Sequence, residues 1–354
     1  MSSPRISVIV PVYNGRRFLR TALDSVFGQS LPACELIVVD DGSTDGSLDE
    51  LTSLAPTGLP VRVLRQANCG QSAARNLAAR CAEGEYLAFL DQDDIWYPEH
   101  LEALIEPLLA NPAAGWAYCD FDEIDLEGYL VTRAFLRAFG VRHPKLTIAD
   151  CVRADLMVLP SASVLRRTAF EAVGGFDEAL SGYEDDDLFL RFFRSGWEQV
   201  FLDRTLVRFR VHASSSSAAR RFLDSRVCFT AKLMALLPDD PRMMRFYLRD
   251  AIAPRFFQVS LDDYVRACSA GEWDDARLAL SVLNRFAALR QPSLALRWKL
   301  AWIQSPRCFR WLVSLNDRLP RQLRFASNPS VTLRGAPPPR LSHAPRAPTT
   351  PPAG

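Results

Sequence analysis

The chain has 354 residues, 48% of them apolar, enough for one large domain with an appendage and a real core. Its formal charge of +1 excludes a whole-chain field that would gather nucleic acid or an acidic polymer. Eight scattered cysteines without a C-x-x-C pair fit reduced thiols better than a disulfide framework or a zinc site. In chain order, residues 6–12 form a β-branched run closed by Pro11 and Asn14-Gly15, which predicts a strand. The run is too short, and has too few basic residues before it, for a secretory signal. Helical apolar spacing follows at Phe18, Leu19, Ala22, Leu23 and Val26. A second strand is expected at 35–40, then a helix from Ser43 and Asp45 to about Leu54. Strands at 61–64 and 86–90 flank an alanine-rich helix at 72–81. Continuous apolar strands alternating with helices predict an α/β fold, a mostly parallel sheet covered on both faces.

Beyond residue 116 the pattern is mixed. Strands are expected at 116–121, 163–166 and 206–211, and helices at 147–153 and 186–195. After Arg220 the chain reads as helical, with segments at 222–237, 242–259, 273–289 and 294–303. The tail from Asn328 is rich in Pro, Ala, Ser and Arg and is expected to be disordered. No apolar run is long enough to span a bilayer, so a cytoplasmic protein is expected.

Chemistry concentrates where strands end. After the apolar run Tyr86-Leu87-Ala88-Phe89-Leu90 come Asp91, Asp93 and Asp94. Clustered carboxylates repel, and the arrangement is tolerable at a surface or around a cation. In an extended segment Asp91 and Asp93 point the same way, and a few hard oxygen ligands suit Mg²⁺ or Mn²⁺. Asp40-Asp41-Gly42-Ser43-Thr44-Asp45 places two acids between a strand and a helix. They could accept hydrogen bonds from a base or ribose, or serve only as turn and cap residues. Asn68-Cys69-Gly70-Gln71-Ser72 opens a helix in which Arg75 either reaches a phosphate or base edge or is an ordinary surface arginine. Gly174-Gly175-Phe176-Asp177 leads to Glu184-Asp185-Asp186-Asp187 before an apolar helix. Ser181 and Glu184 fit a capping box, which does not account for all four acids; one of them is a candidate general base. His212 follows a predicted strand beside a serine run.

Taken together, Val8-Ile9-Val10-Pro11-Val12-Tyr13-Asn14, Val38-Val39-Asp40-Asp41-Gly42-Ser43-Thr44-Asp45, Asn68-x-Gly70 with Ala74-Arg75-Asn76, Phe89-Leu90-Asp91-x-Asp93-Asp94, Gly174-Gly175-Phe176-Asp177, Glu184-Asp185-x-Asp187-Leu188 and Arg210-x-His212 resemble glycosyltransferase family 2. These are inverting enzymes with a GT-A fold. The resemblance covers about residues 6–217. It implies a GT-A domain over 1–217, with a nucleotide-sugar half to about 120 and an acceptor half from 121. A helical region would follow at 218–327 and the tail at 328–354. It implies nucleotide-sugar contacts from Pro11, Val12, Tyr13, Asp40 or Asp41, Arg75, Asp91 and Gln92. It further implies a Mn²⁺ or Mg²⁺ site at Asp93, Asp91 and His212, and Asp185 as the catalytic base. The implied partners are a nucleotide-sugar donor, with uridine the favoured base, and a saccharide or lipid-linked saccharide acceptor.

The Gln-x-x-Arg-Trp motif of processive members is absent. A nucleotidyltransferase should carry a Gly-rich basic loop where Pro11-Val12-Tyr13-Asn14 stands, and a dinucleotide oxidoreductase should show G-x-G-x-x-G. A non-catalytic carbohydrate- or nucleotide-binding protein would need no base. Arg307, Arg310, Trp311, Arg318, Arg321 and Arg324, interleaved with apolar residues, suggest either a basic amphipathic surface at the inner face of a membrane or a helix packed on its own domain.

Overall fold

The structure, a computed structural model, describes residues 3–49, 58–212 and 220–289, together with Gln304, Ser305 and Arg307. Strands β1 (Ile6–Val12), β2 (Glu35–Asp40), β3 (Val61–Arg65) and β4 (Tyr86–Phe89) run parallel in the order β3-β2-β1-β4. β1 is buried along its whole length because helices cover both faces of the sheet. Its alternating side chains divide between two cores. Val8 and Val10 pack with α1 (Leu19–Phe27), whereas Ile9 faces α2 (Gln71–Cys81) on the other side. The first side also holds α3 (His100–Ala110), a helix not expected from the sequence.

The second half of the sheet is mixed. β8 (Ser163–Arg166) runs antiparallel to both β4 and β6 (Ala114–Ile124). β6 in turn pairs in parallel with the long β9 (Glu198–Arg210). β5 (Ile95–Trp96) pairs with the end of β9, and β7 (Leu130–Thr132) forms a hairpin on β6. Short helices α4 (Phe135–Ala138), α5 (Ile148–Arg153) and α6 (Arg167–Ala172) fill connections, and α7 (Glu184–Arg194) packs its apolar side on Trp116. Two antiparallel steps restore direction, so β6 and β9 point the same way as β1, β2 and β4. The segments after Val12, Asp40, Phe89 and Arg210 therefore emerge at one edge.

Helices α8 (Arg220–Leu236), α9 (Ala253–Ala270) and α10 (Trp273–Leu289) join the core on the α7 side through Phe229, Phe256, Tyr264 and Phe286. The helix expected at 242–259 begins late. Residues 240–245 form a turn closed by the Asp240–Arg245 bridge. The Asp239 carboxylate then takes the Leu248 N–H at 2.8 Å, at the start of a π-helical turn, Leu248–Ile252, that runs into α9. The expected helix after Ser43 shows only turns as far as Asp49, and its remainder lies outside the described residues. The helix expected at 294–303, the arginine-rich segment beyond Arg307, the tail and the 217/218 boundary also lie outside them. Among the described residues no helix is long and apolar enough to cross a membrane.

Candidate active site

The loop after β1 is latched to the loop after β2. Asn14, with φ 50°, donates its N–H to Ser43 Oγ, and its own Oδ1 accepts the Thr44 N–H at 2.9 Å. Gly15 N–H reaches Ser47 Oγ, and Arg16 N–H reaches Asp45 Oδ2 at 3.0 Å. Gln92, from the loop after β4, pairs with the Tyr13 backbone through both ends of its amide, at 2.9 and 3.1 Å. Tyr13 is thereby fixed with 48% of its surface exposed. Pro11 and Val12 are buried within β1 and offer no side chain to the edge.

The two acids after β2 have different duties. Asp41 is buried and accepts N–H groups from Cys69 and Gly70 and the Gln66 amide, each at 2.8 Å. It therefore ties β2 to the start of α2, where Gly70 sits at φ 90°, a conformation only glycine adopts readily. Asp40 is partly exposed and uses one oxygen on the Ser43 N–H, a turn-forming bond. Of the pair, Asp40 retains access to the edge.

Arg75 is neither a surface residue nor open to a ligand. It is 1% exposed, and its guanidinium bridges Asp91 at 2.5 Å and Glu184 Oε1 at 3.2 Å while lying over the Phe176 ring. Gln71 also donates to Glu184. Burial works against the Arg75 charge, but Asp91 and then Glu184 more than offset it and hold its pKa above the usual value. Burial raises the pKa of Glu184, with Arg75 opposing. This forked pair joins the loop after β4 to the start of α7.

Asp93 faces His212, with Oδ2 and Nε2 2.8 Å apart, and the imidazole stacks on Phe18. Arg210 braces this corner. Its side chain donates to the carbonyls of Asp93, Asp125 and Leu126, and its own N–H is held by Asp94 Oδ1 at 3.0 Å. Asp94 is buried, and burial followed by the Asp93 and Asp91 charges pushes its pKa well above the ordinary carboxylate range. Among the described residues no three His, Cys, Asp or Glu side chains gather closely enough to hold a metal ion by themselves.

The four acids opening α7 separate cleanly. Glu184 is buried against Arg75, Asp186 against Arg255 and the Leu156 N–H, and Asp187 against Arg191 and Lys232. Asp185 alone of the four is partly exposed, and its Oδ1 accepts the Asp186 N–H at 2.8 Å. The expected capping box is not formed: the N-cap is Tyr183, at φ 63°, with no side-chain cap. That strained backbone is held from outside. The Tyr183 ring stacks on Phe229 and its hydroxyl receives Arg226 Nε at 2.8 Å, while Ser225 donates to the Gly182 carbonyl. A Cβ on Gly182 would meet the Phe222 ring at 2.3 Å, so the loop and α8 touch through bare backbone. Sequence reasoning named Gln71, Asp94 and Arg210 within motifs without giving them individual roles, and missed Arg226 and Arg255 altogether. No local signal marks partners brought in by later helices.

Comparisons with known proteins agree with this geometry. Residues 7–174 match the family described as glycosyl transferase family 2. An uncharacterized glycosyltransferase of Rickettsia prowazekii is 29% identical over 229 residues, 61% of this chain and 66% of that protein. A putative teichuronic acid biosynthesis glycosyltransferase of Bacillus subtilis, TuaG, is 40% identical over 112 residues, 31% of this chain and 44% of that one. The chain thus spans under two thirds of the length of these relatives. Staphylococcus aureus TarS 1–349, solved with UDP-GlcNAc, superposes with a TM-score of 0.63 at 19% identity, covering 89% of this chain and 91% of that one. A Pyrobaculum calidifontis mannosyltransferase, solved with GDP-Man and Mn²⁺, gives 0.53 at 23% identity, covering 88% and 84%. With the parallel first half, the mixed second half and the acids gathered at one edge, residues 7–174 belong to glycosyl transferase family 2, and the chain has the GT-A fold.

Proposed function

We propose that the chain is a metal-dependent, inverting glycosyltransferase. It would move a sugar from a nucleotide-sugar, UDP-linked, onto a hydroxyl of a saccharide or lipid-linked saccharide during bacterial cell-surface polysaccharide or glycolipid assembly. The observation that carries this reading is the sorting of acids at α7. Three are buried and paired with cations, and the fourth, Asp185, stays partly exposed on a helix whose first residue is tied through Arg75 to the loop after β4. TuaG supports the acceptor class, and the ligands of TarS and the mannosyltransferase support a nucleotide-sugar donor.

On this reading Asp40 and exposed Tyr13 receive the base, while Asp41 holds the loop that shapes their pocket. Asp91 and Gln92 lie against the sugar diphosphate. Arg75 acts on the donor only through Asp91, which its guanidinium orients. Asp185 takes the proton from the acceptor hydroxyl as that oxygen attacks the anomeric carbon from the face opposite the departing diphosphate. Glu184, held by Arg75, fixes the start of α7 and hence the position of Asp185.

The residues fit a cation that takes few protein ligands and completes its shell with phosphate oxygens and water, the habit of Mg²⁺ and related hard ions. Asp93 and His212 already converge, and Asp91 lies on the same loop. Such an ion, bound by Asp93 with Asp91 and His212, would offset charge on the leaving diphosphate.

A thermal-shift and calorimetric screen of UDP-, dTDP- and GDP-sugars, with Mn²⁺ or with EDTA, tests the proposal. One UDP-sugar should stabilise the protein in Mn²⁺, and EDTA or Asp93→Ala should weaken that binding at least about tenfold, consistent with loss of a metal ligand. Equal binding with EDTA, or in Asp93→Ala, would remove the metal from the account.

A further inference from the structure

The hairpin between β6 and β7 carries exposed apolar side chains at the mouth of the site. Tyr129 is 72% exposed, Leu130 43% and Val131 56%. Leu130 pairs with Ile124, whose carbonyl also takes the Val211 N–H, so exposed Val211 lies on the other side of the same residue. The hairpin is fastened to the site: Arg210 grips both the Asp93 carbonyl and the carbonyls of Asp125 and Leu126 at the turn. Asp125 Oδ1 closes the turn by accepting the N–H groups of Glu127 and Tyr129.

The turn carries Asp125 and Glu127, the latter paired with Arg17 at 3.7 Å, but the chain that follows is basic. From Gly128 to Ala149 the sequence contains Arg133, Arg137, Arg142 and Lys145 and no acid. Arg137 pairs with Asp203, and Lys145 is partly buried within the field of Asp150 and Asp186, whereas Arg133 and Arg142 form no ion pair among the described residues. Arg133 and Arg142 are exposed. Phe139, 45% exposed, adds an aromatic ring to the segment.

We propose that this hairpin and the basic segment after it rest on an anionic membrane surface, with Tyr129, Leu130 and Val131 entering the headgroup boundary and Arg133 and Arg142 meeting lipid phosphates. The chemistry favours lipid over the alternatives. A saccharide platform would need free carboxylates or amides for sugar hydroxyls; the two acids of the turn are engaged, Asp125 by backbone N–H groups and Glu127 by Arg17, and residues 128–149 contain no acid. A symmetric contact with a second copy would press two sets of like charges together. Aliphatic tips beside unmatched cations suit an interface of negative headgroups. The inference stands on surface chemistry and is independent of which donor or acceptor the site takes. It places the mouth of the site at the membrane, where a lipid-linked substrate would be presented.

The test is co-sedimentation of the full chain with vesicles of phosphatidylcholine alone or mixed with phosphatidylglycerol. Wild type should pellet with the anionic vesicles, less so as salt screens the charges. The triple variant Tyr129→Ser, Leu130→Ser, Val131→Ser should bind at least about tenfold more weakly. Arg133→Ser with Arg142→Ser should lose about fivefold per cation. Both variants should keep the wild-type melting temperature and donor binding, since the substituted side chains are exposed. Any of four results would overturn the proposal: no pelleting of wild type, equal pelleting on neutral vesicles, variants that pellet like wild type, or variants that lose transfer to a soluble acceptor while keeping vesicle affinity. Loss of a dimer in the variants by sedimentation velocity, with vesicle binding unchanged, would assign the surface to a second copy instead.

Discussion

Replacing Asp185 by Asn is expected to lower transfer by about 10²–10⁴-fold, the usual worth of a positioned general base. Donor binding should change little. The amide keeps the size of the carboxylate and can still accept the Asp186 N–H through its oxygen, so α7 starts as before. What it loses is the ability to take a proton. Neighbouring substitutions supply the contrast. Asp186→Asn weakens the buried pair with Arg255, and Asp187→Asn weakens those with Arg191 and Lys232. Both should register first as lowered melting temperature. Steady-state kinetics and calorimetry on the three variants separate the roles. Near-normal turnover in Asp185→Asn would reject it as the base.

Arg75→Met is the second large effect. Removing one member of a buried ion pair leaves its partner uncompensated and costs about 3–5 kcal/mol. The expectation lies toward the lower figure because Asp91 is 29% exposed and can rehydrate, whereas Glu184 at 7% cannot. The pH dependence has a definite sign. Burial already raises the Glu184 pKa, and loss of Arg75 raises it further. A carboxyl with a raised folded pKa destabilises the fold while it is ionised, and the penalty fades as it protonates. The stability deficit of Arg75→Met should therefore be greatest at neutral and higher pH and shrink as pH falls through the raised Glu184 pKa. Arg75→Lys distinguishes positioning from mere stability. A lysine keeps the charge but reaches one acid at a time, so it should recover much of the melting temperature without recovering kcat. Full recovery of kcat in the lysine variant would show that the fork is not needed.

Much of the first half of the sheet is legible in the sequence because it is built from long, uniformly apolar strands and ordinary helix periods. β1, β2 and β4 announce themselves, and the acids at their ends follow from the α/β rule that parallel strands deliver ligands to one edge. The elements that escape notice are those whose form depends on tertiary partners. β5 and β7 have two and three residues, too short for any period. α3 contains Pro107, which reads as a helix breaker. The acid cluster before α7 is visible, but its division of labour is not. Which carboxylate stays accessible is decided by Arg75 from α2, Arg255 from α9 and Lys232 from α8, far apart in sequence. Likewise the spacing of Arg75 from Gly70 suggests a ligand contact, and only the packing of α2 against α7 shows that its guanidinium is spent on two carboxylates. The αL backbone at Tyr183 has no glycine to signal it, because α8 rather than the local sequence holds it in place.

A single displacement driven by one accessible carboxylate inverts the configuration at the anomeric carbon. The most direct measurement is proton NMR of the first-formed glycoside, using the donor identified by the binding screen. From an α-linked donor the account predicts a β-linked product from the earliest time point. An α-linked product would require a second nucleophile and would contradict it.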